Sequence, residues 1–356
     1  MSASDLPHPP LLESIQSTST MRGTRAWSAN RELPSALRAA IDAVATGVPL
    51  RELREAAARL SGAYRESTRK RSVYLQRLSD IDRLAYVTTR MPSTYASIRM
   101  VLLELRERCP TLEVGSLLDV GSGPATGLWA TSSVFSELSR ATLVEPVSGM
   151  RELGNRLLSG SLIRERVNVT WAPTTSEQLV VASPFDVVLA AYVTNELPSP
   201  RLELFLDTMW DACRHAVLLV EPGSPAGFER IIAARAHLMA RGATIVAPCP
   251  HADVCPLLDE DVDWCHFAAR LNRTSLQRRL KGGTLAYEDE PYSYVIATRE
   301  IGERVAGRVI RRPRTRSGQV FVRVCAGDGV KDKTITRRQG PIYHLARKLR
   351  WGDSWD

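Results

Sequence analysis

Apolar residues recur three or four apart in Leu37-Arg-Ala-Ala-Ile-Asp-Ala-Val and in Leu53-Arg-Glu-Ala-Ala-Ala-Arg-Leu, which predicts two amphipathic helices. A longer helix is expected from Thr94 to Arg108 through Ile98, Val101, Leu102 and Leu105, stopped by Pro110. From Leu117 the pattern changes to short apolar runs that alternate with helical stretches, the mark of a parallel α/β sheet. Strands are predicted at residues 117–120, 141–145, 167–171, 185–191, 216–221, 243–247 and 292–297. Helices are expected at 126–138, 148–158 and 227–239. The expected architecture is a seven-stranded, doubly wound α/β domain behind a helical arm. After the seventh strand, residues 305–310 and 319–325 flank the basic stretch Arg311-Arg-Pro-Arg-Thr-Arg-Ser-Gly and read as a hairpin in a small β extension.

This pattern divides the chain. Residues 1–30, rich in Ser, Thr and Pro, read as disordered or loosely attached. Residues 31–112 form the helical region, 113–299 the α/β domain with a cysteine-bearing insertion at 247–290, and 300–356 a basic β extension and tail. With 356 residues there is enough chain for a large core. No apolar run approaches the roughly 20 residues needed to cross a bilayer, so no membrane partner is expected. The N-terminus lacks the basic and apolar regions of a secretory signal. A cytoplasmic location is expected, where thiols stay reduced and clustered cysteines favour metal over disulfides.

Charge changes the picture at one end. The net charge is +8, yet from Arg299 to Asp356 there are 15 Lys/Arg against 6 Asp/Glu. The basic surplus therefore belongs to the C-terminal segment, and its interleaving with strand-like and aromatic residues points to nucleic acid.

Four of the six cysteines, Cys249, Cys255, Cys265 and Cys325, carry the first candidate chemistry. Three fall within seventeen residues, and the predicted hairpin could return Cys325 to them. A four-thiolate set reads as an iron–sulfur or zinc site. The spacing supplies no zinc knuckle of the C-x₂₋₄-C kind, so both readings stay open on spacing alone. His251 and His266 lie beside the set, whereas Cys109 and Cys213 read as packing residues.

The second candidate is Leu118-Asp-Val-Gly-Ser-Gly-Pro-Ala-Thr-Gly, a strand running into a glycine turn. Gly121 and Gly123 would allow a tight turn and close approach of a ligand, with Ser122 and Pro124 between and after them. Asp119 supplies a carboxylate near the strand end, and Glu145 closes the second strand, where an acid can hold ribose hydroxyls. The spacing G-x-G-x-x-x-G differs from the dinucleotide fingerprint. Together these features resemble the S-adenosylmethionine site of class I methyltransferases more than a nicotinamide site.

Further stretches carry a closer resemblance: Arg90-Met-Pro-Ser-Thr-Tyr-Ala, Tyr192-Val-Thr-Asn-Glu-Leu-Pro, Val220-Glu-Pro-Gly-Ser-Pro-Ala-Gly-Phe, Val246-Ala-Pro-Cys-Pro-His, Asp263-Trp-Cys-His-Phe, Glu288-Asp-Glu and Ala346-Arg-Lys-Leu-Arg-Trp-Gly-Asp. With them the chain resembles the methyltransferase-like proteins of the mitochondrial small ribosomal subunit and their bacterial relatives, from about residue 80 to the end. The resemblance implies a class I methyltransferase fold, a [4Fe–4S] cluster on Cys249, Cys255, Cys265 and Cys325 (zinc being the alternative), and S-adenosylmethionine at Asp119, Gly121, Ser122, Gly123, Pro124 and Glu145. It also implies action on small-subunit ribosomal RNA or a ribosomal precursor; off the ribosome a monomer is expected. The loop after the fourth strand has neither a D/N-P-P-aromatic motif nor a cysteine nucleophile, so no catalytic residue is named. Two functions follow: an rRNA methyltransferase, or a non-catalytic assembly factor that keeps the fold as a scaffold.

Overall fold

The computed structural model describes residues 31–63, 77–197, 201–259, 263–299 and 302–355. The loosely attached segment expected at 1–30 lies outside them. Helices α1 (Ser35–Ala45), α2 (Leu50–Ala63) and α3 (Asp80–Thr89) precede the long α4 (Met91–Arg108). The last starts three residues before the predicted Thr94, with Pro92 in its first turn, where its missing N–H costs no hydrogen bond. Ser79 caps α3, its hydroxyl accepting from the Asp82 amide.

The α/β part runs β1 (Ser116–Val120), α5 (Thr126–Val134), β2 (Arg140–Val144), α6 (Ser148–Leu158), α7 (Leu162–Arg166), β3 (Asn168–Ala172) and β4 (Phe185–Ala191). It continues with α8 (Leu202–Asp211), β5 (Cys213–Pro222), α9 (Pro225–Ala240) and β6 (Thr244–Ala247). Then come β7 (Phe267–Asn272), α10 (Ser275–Lys281) and β8 (Tyr287–Thr298). The sheet order is β3-β2-β1-β4-β5-β8-β6, with β7 paired to the outer part of β8. Strand direction corrects the all-parallel expectation, because β8 runs antiparallel to β5, β6 and β7. This is a mixed, Rossmann-like sheet, with eight strands where seven were expected. The extra strand, β7, lies in the cysteine-bearing stretch.

Side-chain alternation explains the three layers. Leu117, Val187, Leu189 and Leu218 face one way, against Val101, Leu102 and Leu105 of α4 and Leu128 of α5. Their neighbours Leu118, Val188, Ala190 and Leu219 face the other, against Phe205 and Met209 of α8 and Ile231 and Leu238 of α9. Burial on both faces is why these strands read as continuous apolar runs.

A second sheet holds β9 (Gly307–Val309), β10 (Arg314–Arg316), β11 (Gln319–Ala326) and β12 (Gly329–Thr336), in the order β10-β11-β12, with β9 on β11. Gly318, at φ 74°, makes the tight turn between β10 and β11. Val320, Val322, Val324 and Ile335 pack with Tyr343 and Ala346 of α11 (Pro341–Ala346) into a separate small core. Arg308 on β9, 1% exposed, fastens this sheet to the first. Its Nη2 donates to Glu104 of α4 at 2.5 Å, its Nε to the Pro248 carbonyl at 3.1 Å and its Nη1 to the Gly352 carbonyl at 2.9 Å. Burial opposes charge on Arg308, but the Glu104 carboxylate together with Tyr294 and Cys265 outweighs it and raises the guanidinium above its usual range.

Candidate functional site

The four cysteines come from different elements and line one cavity of about 30 Å³. Cys249 follows β6, Cys255 precedes a single helical turn at Pro256–Asp259, Cys265 precedes β7, and Cys325 stands on β11 of the second sheet. The spacing Cys249 to Cys255 is spanned by a loop that Arg235 of α9 holds, donating to the carbonyls of His251 (3.1 Å) and Asp253 (2.8 Å). Cys265 is set by the strip Asp263-Trp-Cys-His. There Arg311 pairs with Asp263 and donates to the Trp264 carbonyl at 2.8 Å, and the Trp264 indole donates to Gly223 at 3.0 Å.

All four thiols are pushed up by burial; for Cys249, Cys265 and Cys325, neighbouring cysteines of the set push further, Cys325 reaching about 12. Such thiols stay protonated and inert as nucleophiles, and they are ionised only by a cation that replaces their protons. Arg235 and Arg308 also line the cavity and would offset thiolate charge. Among the described residues, no three His, Cys, Asp or Glu side chains gather tightly enough to hold a single metal ion. A zinc site needs its sulfurs about 2.3 Å from one point. Four thiols around one cavity are the donor chemistry of a cluster and of a zinc site alike. His251 Nε2 lies 3.6 Å from Cys325 Sγ. His266 stands outside the cavity lining, stacked on Trp264 and edge-on to Trp351 at 4.8 Å. Cys213 is buried in the other core, and Cys109 packs against the first.

The glycine turn lies at the C-terminal edge of β1, where open α/β sheets carry ligands. Gly121 and Gly123 have φ of 70° and 53°, values that favour glycine, and the space beside Gly123 is open. The amides of Gly121 and Ser122 donate to the Val144 carbonyl, tying the turn to β2. Glu145 accepts from the amides of Gly123 (3.0 Å) and Val147 (2.9 Å), so its carboxylate is already oriented. Ser122 and Pro124 are buried within the turn. Asp119 departs from the picture of a carboxylate presented at the strand end: it is 2% exposed and lies beneath the first turn of α5, beside Gly127. Burial, then the Glu145 charge, push Asp119 up to about 7, while the Leu128 and Gly127 amides hold it back.

Three further groups lie at this edge, each in a stretch that carries the family resemblance. Tyr192, just after β4, has φ 63°, a left-handed backbone uncommon for a side chain of its size. Its hydroxyl lies 3.0 Å from Ser97 Oγ and 3.5 Å from Glu290 Oε1. Burial pushes Glu290 up to about 7 against the pull of Arg90, and pushes Glu221 to about 7 against hydrogen bonds from Thr194. Both glutamates stand in stretches that carry the resemblance, but only the fold reveals their surroundings.

The basic face is the third part. On the second sheet Arg314 and Arg316 flank the Phe321 ring, with guanidinium carbons 5.9 and 6.0 Å from its centroid.

A family model described as mitochondrial small ribosomal subunit Rsm22 matches residues 80–356. The human protein "Ribosome assembly protein METTL17, mitochondrial" is 29% identical over 329 residues, 85% of this chain and 69% of its own. "Ribosome assembly protein RSM22, mitochondrial" of Saccharomyces cerevisiae is 23% identical over 420 residues, 76% of this chain and 66% of its own. "Rsm22-cox11 tandem protein 2, mitochondrial" of Schizosaccharomyces pombe is 27% identical over 327 residues, and the chain spans only 43% of it. These relatives are mitochondrial by name, which overturns the cytoplasmic location expected from the sequence. Among solved structures, the N-methyltransferase NodS of Bradyrhizobium japonicum in complex with S-adenosyl-l-homocysteine aligns over 65% of this chain and 98% of its own, at TM-score 0.40 and 12% identity. A putative RNA methyltransferase of Pyrococcus horikoshii aligns over 58% and 83%, at TM-score 0.38 and 12% identity. Likeness at this level adds nothing to what the strand order says.

Proposed function

The chain belongs to the Rsm22 family of the mitochondrial small ribosomal subunit, and from that premise we propose that it is a methyltransferase-like assembly protein of that subunit, gripping ribosomal RNA or a ribosomal precursor with its basic C-terminal sheet. The observation that carries this reading is the reach of the family match, which takes in the α/β domain, all four clustered cysteines and the basic extension together. The cofactor unit would occupy residues 113–299 with its insertion at 247–290, behind the helical region 31–112. The RNA-gripping unit would be 300–356, and off the ribosome the protein would be a monomer.

Cys249, Cys255, Cys265 and Cys325 would hold a [4Fe–4S] cluster, which supplies a metal cross-link between two sheets. Arg235 and Arg308 would balance its charge, and the Arg235 guanidinium would keep the loop carrying Cys249 and Cys255 in place. S-adenosylmethionine, when bound, supplies an electrophilic methyl group. Gly121, Ser122, Gly123 and Pro124 would line its site with backbone, Glu145 would hold ribose hydroxyls, and Asp119 would act from beneath the turn. The polar set Ser97, Tyr192 and Glu290 borders the same edge and is where a base would be sought if methyl transfer occurs.

Depletion of the protein, followed by gradient sedimentation and a map of rRNA methylation, tests the reading. Stalled small-subunit precursors with full methylation would mark an assembly scaffold, and loss of one methyl group would mark a transferase. Normal subunits with normal methylation would overturn the proposal.

A further inference from the structure

A groove of about 340 Å³ runs between α4, the free edge of β7 and the C-terminal segment. Its volume is at the lower end of small-molecule sites and suits one nucleotide. Five arginines line it: Arg31, Arg99, Arg270, Arg312 and Arg350. Against them stand two acids, Glu32 and Asp289. Asp289 is committed to Arg270, at 2.6 Å through both nitrogens, and to Arg312 at 3.3 Å. Among the described residues, Arg31 and Arg99 make no salt bridge. Small residues, Ala96, Ala268 and Ala269, also line the groove. Trp351 forms one wall.

Arginines that make no salt bridge among the described residues, beside an aromatic wall, form the set of contacts that single-stranded nucleic acid uses. We propose that this groove takes one unpaired ribonucleotide of the bound RNA, its phosphates on Arg31 and Arg99 and its base against Trp351. The inference rests on the assembly reading above and adds to it a second contact, separate from the basic sheet. A small anionic peptide would find the arginines but no use for the aromatic wall. Duplex RNA is too wide for a groove of this size.

The test uses the full chain, purified without oxygen, and a fluorescently labelled 12-nucleotide single-stranded RNA at physiological salt. Trp351→Ala is expected to weaken binding by roughly 5- to 100-fold, the loss of one stacked base. The pair Arg31→Glu and Arg99→Glu should weaken it further and make the salt slope shallower by about 1.4, two contacts at about 0.7 each. Arg51→Glu, on the exposed face of α2, should leave affinity unchanged. Thermal melting of each variant separates lost binding from lost folding, and photocrosslinking of the wild type should attach RNA to the peptide bearing Trp351. If groove variants bind like wild type while Arg314→Glu with Arg316→Glu abolishes binding, the groove proposal fails and the assembly reading stands. If the wild-type chain binds no RNA, both fail. Full competition by micromolar mononucleotide would replace the RNA segment with a free nucleotide and overturn the proposal as stated.

Discussion

At the scale of single residues, buried carboxyls dominate the ligand edge of the sheet. Glu221 is 1% exposed and pushed up to about 7, so the folded protein takes up a proton there that the unfolded chain releases near pH 4. Its folded-state pKa is raised, so this stability is present below the unfolded value and lost as pH rises through about 7. Glu221→Gln keeps an acceptor for the Thr194 amide without the charge. We expect the variant to match wild type below pH 4 and to be the more stable by up to about 3 kcal/mol above pH 7, from urea titrations at each pH. A difference independent of pH would mean that Glu221 is not the group that titrates. Tyr192 stands in a stretch that sequence singles out, but its left-handed backbone and its contacts with Ser97 and Glu290, 95 and 98 residues away, are visible only in the fold.

Among elements, the strand carrying Cys325 matters most. β11 belongs to a separate sheet, yet Cys325 lines the same cavity as the three cysteines that follow β6 and precede β7. Cys325→Ser should therefore empty the site: we expect about four irons and four sulfides per wild-type chain purified without oxygen, and far fewer in the variant. Stoichiometric zinc in a colourless wild-type preparation would contradict the cluster. Much at this scale was legible. Runs such as Leu117–Val120 and Phe185–Ala191 are apolar on both faces and announce themselves as buried strands. The strand β7 was not, because its inward residues Phe267, Ala269 and Leu271 alternate with Ala268, Arg270 and Asn272 in a stretch read as a cysteine loop. Nor was β12, whose Gly-Val-Lys-Asp-Lys-Thr-Ile-Thr is mostly exposed and held by pairing with β11 rather than by its own apolar content. The direction of β8 is invisible to periodicity, since an apolar run reads alike both ways. The thiol set could be picked out by residue type, but Arg235 and Arg308 beside it look in sequence like any surface arginine.

For the whole molecule, the basic surplus gathered after Arg299 predicts that RNA affinity falls steeply with salt. A flat response between 50 and 200 mM salt, on the order of the range where phosphate contacts are lost, would place the RNA on another surface. The buried Arg308 clasp has a consequence for how the protein comes to be made. Its partners lie 204, 60 and 44 residues away in the chain, on both sides of it. Domains begin to fold while the chain is still leaving the ribosome, N-terminal part first. The first sheet can therefore form early, but Glu104 waits for Arg308, and Arg308 waits for Gly352. Three of the four clustered thiols likewise remain a site without a fourth wall until Cys325 emerges. Completion is thus a late event in synthesis, and a chain cut short before β9 would carry its unfinished seam as a mark by which it could be recognised and removed.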